Sequence, residues 1–139
     1  MNKLKIIDLF CGSGGFTLGF LKEKFEVQLA IDHDPYCEQV YKKNLPTTNF
    51  VLQNLSQINK KIFLGLKPDV VVGGPPCQGF STIGSRISSI EKKREKKDIR
   101  NNLVFSFIEH VNYLNPKIFL MENVSGILTR DKGEIFHEL

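Results

Sequence analysis

Five short apolar runs recur along the chain, each separated from the next by a helical or turn-like segment, and this alternation restricts the fold more than any other feature. Leu4 to Phe10 reads as a mostly buried strand that ends in the turn Gly12-Ser13-Gly14-Gly15. Phe16 to Lys24 carries Phe16, Leu18, Phe20 and Leu21 and predicts a helix packed on a sheet. A second strand, Val27 to Ile31, leads into Asp32-His33-Asp34-Pro35, where Pro35 suits a helix start. Tyr36, Val40 and Tyr41 extend that helix towards Asn44-Leu45-Pro46. Phe50-Val51-Leu52 is a third strand, Asp69 to Val72 a fourth and Lys117 to Met121 a fifth. Before the fifth, Leu103, Val104, Phe107, Ile108 and Val111 share one helical face, with Asn101 or Asn102 as cap and Asn115-Pro116 as stop. Strands alternating with helices predict an α/β fold with a doubly wound, mostly parallel sheet. Residues 133–139 start a further helical segment, and the sheet reads as incomplete at its C-terminal edge.

With 139 residues, the chain fits one domain. Its three cysteines, Cys11, Cys37 and Cys77, have neither metal-site spacing nor the density of a secreted scaffold. They suit a reducing cytoplasm, and no metal is expected. No apolar run approaches the roughly 20 residues of a membrane span, and a signal-peptide core is missing. The net charge of +4 is local: Arg86 to Arg100 holds seven basic residues against three acidic ones, which accounts for all of it. Such a cluster fits a phosphate backbone, although charge alone favours a solvated surface loop, since such runs are common on surfaces. Gly79 to about Lys97 has no clean period and is expected to be a long loop.

Three constellations carry chemistry. The glycine turn after the first strand lets backbone approach a ligand and aims amides at it, and Asp32, 20 residues after Gly12, suits ribose hydroxyls. The glycine spacing fits a dinucleotide fingerprint poorly, which disfavours a nicotinamide oxidoreductase. Pro75-Pro76-Cys77-Gln78 holds a thiol at a strand's carboxyl end, stiffened by two prolines and followed by Gly79. No histidine stands beside it as a base: His33 lies in the cofactor turn, and His110 and His137 have undistinguished helical surroundings. Glu122, ending the fifth strand, is expected to lie near Cys77 if the fourth and fifth strands are neighbours. A buried carboxyl there could hydrogen-bond a heterocyclic ring nitrogen while the thiolate adds to the ring; capping the next turn is the plainer role.

Phe10-x-Gly12-x-Gly14, Pro75-Pro76-Cys77-Gln78 and Glu122-Asn123-Val124, in that order on alternating elements, resemble the cytosine-C5 DNA methyltransferases. Asp98-x-Arg100-Asn101-x-Leu103 is similar to that family's segment after the catalytic loop. The resemblance covers essentially the whole chain and implies a Rossmann-like methyltransferase fold with S-adenosylmethionine as cofactor. It implies that Cys77 adds to C6 of a cytosine flipped out of double-stranded DNA, with Glu122 on N3 and the exocyclic amine and Asn123 orienting the site. Phe10 and His33 would lie against the adenine, and Asp32 would take the ribose hydroxyls. Cys11, Gly12, Ser13, Gly14 and Gly15, with Pro75 and Leu103, would complete the cofactor pocket. Asn54 replaces an acidic residue that often contacts the adenine amine, and its amide oxygen could accept the same bond. Gln78, Ser81, Arg86, Lys92, Lys93, Arg94, Lys96, Lys97 and Arg100 would meet DNA, with Gly79 to Lys97 as the mobile loop that closes on it.

Residues 1–66 then form a cofactor half and 67–139 a catalytic half, without the family's target-recognition region and later motifs. The expected function is cytosine-C5 methylation of DNA, as part of a cytoplasmic bacterial modification enzyme. The chain would be a fragment or one half of a split enzyme, inactive alone, with a second polypeptide as a candidate partner. A tRNA cytosine methyltransferase and a non-catalytic S-adenosylmethionine-binding subunit remain alternatives.

Overall fold

A computed structural model describes residues 3–76, 102–129 and 137. Five strands, β1 (Lys5–Leu9), β2 (Glu26–Asp32), β3 (Phe50–Leu52), β4 (Val70–Gly73) and β5 (Ile118–Met121), form one sheet in the order β3-β2-β1-β4-β5. Every pairing is parallel. All five expected strands are present, and the doubly wound order places the topological switch between β1 and β4. Ligands of such sheets bind outside the carboxyl ends at that switch. The helices are α1 (Gly15–Lys22), α2 (Pro35–Asn44), α3 (Asn102–Leu114) and the short α4 (Gly126–Thr129), with 3-10 turns at Leu55–Gln57 and Lys60–Phe63. No described helix is long and apolar enough to cross a membrane. The expected loop over 79–97 lies outside the described residues, as do all but residue 137 of the expected 133–139 segment.

Side-chain alternation along the strands makes two layers. Ile7, Leu9, Leu29, Ile31 and Val71 face Phe63, Phe107 and Val111, forming the main core under α3. Ile6, Val70 and Val72 pack on the other face with Phe16, Phe20 and Phe25. In α2, the Asp34 carboxylate accepts from the Tyr36 amide at 2.8 Å, and Pro35 occupies the first turn, as its sequence implies. Val104 and Phe107 are fully buried on the expected face of α3, and His110 joins them there. Among the described residues β5 is an edge strand, and Ile118, Phe119 and Leu120 stay about half exposed.

Candidate active site

The carboxyl ends of β1 and β2 are stitched together by backbone. The Cys11 amide donates to the Ile31 carbonyl (3.0 Å), the Gly12 amide to Asp32 Oδ2 (2.8 Å) and the Gly14 amide back to the Cys11 carbonyl (2.9 Å). The turn needs the left-handed region at Gly12 (φ 53°) and Gly14 (φ 94°), which glycine enters without strain. Among the described residues, a side chain on Gly12 or Gly15 would meet no atom within 4 Å. The amides of Ser13, Gly15 and Phe16 donate to nothing among the described residues. Amides at a helix start with no partner among the described residues suit a carboxylate-bearing nucleoside ligand, and S-adenosylmethionine fits that description. Ser13, Gly15 and Phe16 would hold its carboxylate end.

Asp32 does more than the sequence suggested. Only 8% exposed, its Oδ1 accepts from the His33 (2.7 Å) and Asp34 (3.0 Å) amides while Oδ2 holds Gly12. It braces the turn, leaving spare acceptor capacity on Oδ2 for a ribose hydroxyl. His33 stands exposed, with Nδ1 3.6 Å from Asp32 Oδ1. Phe10, expected to lie against adenine, is 9% exposed and packed into the main core, so it offers a ligand at most an edge. Its backbone is in the left-handed region (φ 55°), which turns the chain into the glycine segment.

Asn54 caps the first 3-10 turn. Its Oδ1 already accepts from the Ser56 amide (3.0 Å) and hydroxyl (2.8 Å), which fills its two lone pairs. The backbone amide of Ser56 fixes which end of the Asn54 side chain is oxygen. Leu103 is half-buried against the main core at the start of α3.

At the other side of the switch, β4 and β5 are neighbours, as the Glu122 expectation required. The Glu122 amide donates to the Gly73 carbonyl (2.9 Å), and Glu122 Oε2 lies 3.4 Å from where a Gly74 Cβ would sit. Glu122 is exposed rather than buried, because its strand is the edge strand of the described sheet. Asn123 Oδ1 takes the Val124 amide (2.9 Å), which turns Nδ2 onto the Pro75 carbonyl at 3.2 Å. The Pro-Pro segment is therefore tied to the Glu-Asn segment across the strand ends. Cys77, Gln78, Ser81 and the basic residues Arg86, Lys92, Lys93, Arg94, Lys96, Lys97 and Arg100 lie outside the described residues.

Sequence reasoning missed Asp8, Thr17, Tyr41 and His110. Asp8 is fully buried, and desolvation pushes its carboxyl from 3.8 up to about 7, with Thr17 hydrogen bonds opposing and Asp32 adding to the rise. The signal was present: one acid within the apolar run Leu4 to Phe10. A raised carboxyl pKa gives stability that is full below the unfolded value and lost as pH rises through the folded one. Chemical denaturation of the wild type against Asp8→Asn should show the stability gap shifting against the wild type by roughly 3 kcal/mol between about pH 5 and about pH 8. A gap independent of pH would contradict this. Cys11 is buried, and burial first, then the charges of Asp8 and Asp32, push its thiol far up, so it is a packing group. His110 Nε2 donates to the Leu55 carbonyl at 2.8 Å, holding the turn next to Asn54.

The pattern of the C-5 cytosine-specific DNA methylases matches residues 4–139. The chain belongs to that family. This C5 methylase chain is 39% identical over 129 residues to the type II methyltransferase M.DdeI of Desulfomicrobium norvegicum, covering 91% of the chain and 29% of the relative. It is 35% identical to M.AquIA of a Picosynechococcus strain, covering 94% of the chain and 52% of that relative. An E. coli prophage protein assigned as a DNA modification methyltransferase superposes with a TM-score of 0.78 at 33% identity, over 98% of this chain and 36% of that one. The DNMT2 of Spodoptera frugiperda gives 0.69 at 27% identity, over 98% and 40%. The methylase chain thus spans about a third to a half of the relatives it matches.

Proposed function

We propose that this chain supplies the cofactor turn and the nucleophile of an enzyme that methylates C5 of cytosine in double-stranded DNA, within a bacterial modification system. The observation carrying this reading is the link between the ends of β4 and β5: Asn123 Nδ2 donates to the Pro75 carbonyl, two residues before Cys77 in the chain, and β4 is the direct neighbour of β1, which leads into the glycine turn. The Cys77 thiolate forms a bond to C6 of an extruded cytosine while Glu122 hydrogen-bonds N3 and the exocyclic amine, so that electron density moves to C5. S-adenosylmethionine, when bound, supplies the electrophilic methyl group. Once C5 carries the methyl group, S-adenosylhomocysteine is the leaving product. Solvent water then takes the C5 proton, the C5–C6 double bond re-forms and the C6–S bond breaks to return the Cys77 thiolate. Asn123 keeps the Pro-Pro segment in register with Glu122, and the 86–100 cluster answers the DNA phosphates.

Residues 1–139 alone are expected to transfer methyl groups poorly, since the relatives are about two to three times longer, and a second polypeptide or a longer chain would complete the site. Methyl incorporation from labelled S-adenosylmethionine into duplex DNA and into tRNA, with and without a complementing C-terminal part, tests the reading. It predicts strong incorporation into DNA only with complementation; preferential incorporation into tRNA, or none under any condition, would overturn it. In that complemented enzyme Asn123→Ala should lower kcat by roughly 10- to 100-fold through misplacement of the nucleophile segment, with little change in cofactor affinity. An unchanged kcat would remove Asn123 from its role.

A further inference from the structure

A buried hydroxyl relay lies under the glycine turn, built from residues with no assigned part in the reaction. Asp8 Oδ2, on β1, accepts from the Thr17 amide at 3.1 Å and from Thr17 Oγ1 at 2.6 Å. Tyr41 Oη, on α2, donates to the same Thr17 oxygen at 3.1 Å. Thr48 Oγ1 donates to the Leu45 carbonyl at 2.8 Å and stands 3.2 Å from Tyr41 Oη. Asp8, Thr17 and Tyr41 are all fully buried. The Tyr41 ring and Leu45 also press on the turn itself: a Cβ on Gly14 would lie 2.9 Å from Tyr41 Cδ2 and 2.6 Å from Leu45 Cδ1.

We propose that Thr17 and Tyr41 are positioning residues for the cofactor, fixing with Asp8 the start of α1 and hence the direction of the Gly15 and Phe16 amides. The inference rests on the reading that this turn takes S-adenosylmethionine. Its physical basis is directional. Apolar side chains would fill the same space without desolvating three polar groups, and buried polar groups cost stability unless paired. A hydroxyl that donates to one partner and accepts from another allows only one arrangement of β1, α1 and α2. The Thr17 bonds are strongest when Asp8 is ionised, because a carboxylate is a better acceptor than a carboxylic acid. Burial opposes that ionisation, as does Asp32 on β2, while the Thr17 bonds favour it. The Cys11 thiol in the turn and the Tyr41 phenol on α2 also face Asp8, and neighbouring β4 brings uncharged Val72 opposite it.

The test uses the 1–139 chain with Thr17→Val, Tyr41→Phe and the conservative Thr17→Ser. Hydrogen exchange at residues 12–18 is read beside calorimetric affinity for S-adenosylhomocysteine. Thr17→Val and Tyr41→Phe should each speed exchange at the turn and weaken binding by about tenfold, with β4 exchange unchanged, and Thr17→Ser should keep both near wild type. Wild-type exchange at the turn in both apolar variants, or acceleration spread evenly over the sheet, would overturn the proposal. If the wild type binds no S-adenosylhomocysteine while the turn still responds, the relay stands and the cofactor reading of this chain fails.

Discussion

Cys77→Ser is expected to lower methyl transfer by the complemented enzyme at least about 10³-fold while leaving cofactor affinity within about twofold. A serine hydroxyl is a weak nucleophile unless a base takes its proton, and the sequence places no histidine beside residue 77. The thiol lies much closer to ionisation near neutral pH. The surroundings of the substitution should survive it. Pro75 is buried, with its carbonyl held by Asn123, and neither contact involves the sulfur. Initial rates on duplex DNA check this, and a residual rate above about a tenth of wild type would remove Cys77 from the mechanism.

Gly73→Ala should strongly destabilise the fold. A Cβ at residue 73 would lie 2.1 Å from the Leu9 carbonyl oxygen, 3.1 Å from its carbon and 2.9 Å from Phe107 Cε2. The obstacle is backbone, and Leu9 is the register partner of Gly73 in the β1–β4 pairing, so relief means parting the two central strands at the switch. Overpacking of this kind costs about 3 kcal/mol or more, a large share of the roughly 5–15 kcal/mol that holds a domain together. Gly74→Ala is the matched control. Among the described residues its Cβ would meet only Glu122 Oε2, at 3.4 Å, so the fold should remain while the carboxylate shifts slightly. Urea unfolding followed by circular dichroism distinguishes the two, and a Gly73→Ala midpoint within error of wild type would contradict the packing argument.

Much of the fold was legible because its determinants are local. Each strand is a short apolar run, and α3 shows its buried face in the spacing of Val104, Phe107 and Val111. The glycine turn was visible for the same reason: Gly12 and Gly14 take backbone angles that glycine reaches readily. What escaped depends on contacts between distant residues. Asp8 meets Thr17 and, through it, Tyr41; His110 reaches back to Leu55. No periodicity links such positions. The roles of individual site residues were also harder to read than their positions. Asp32 was expected to face a ribose and also holds three backbone amides, while the Asn54 oxygen also caps a turn through Ser56. Phe10 shows the limit of a motif letter, since its ring belongs mainly to the core.

The central claim is that Cys77 attacks cytosine beside a cofactor held in the Gly12–Gly15 turn. Trapping tests it most directly: a duplex carrying 5-fluorocytosine is incubated with S-adenosylmethionine and the complemented enzyme, then digested for peptide mass spectrometry. Fluorine at C5 blocks the final proton loss, so the nucleotide should remain bonded to the peptide containing Cys77, and the adduct should vanish in Cys77→Ser. An adduct mapped to any other residue, or one that survives in Cys77→Ser, would contradict the account.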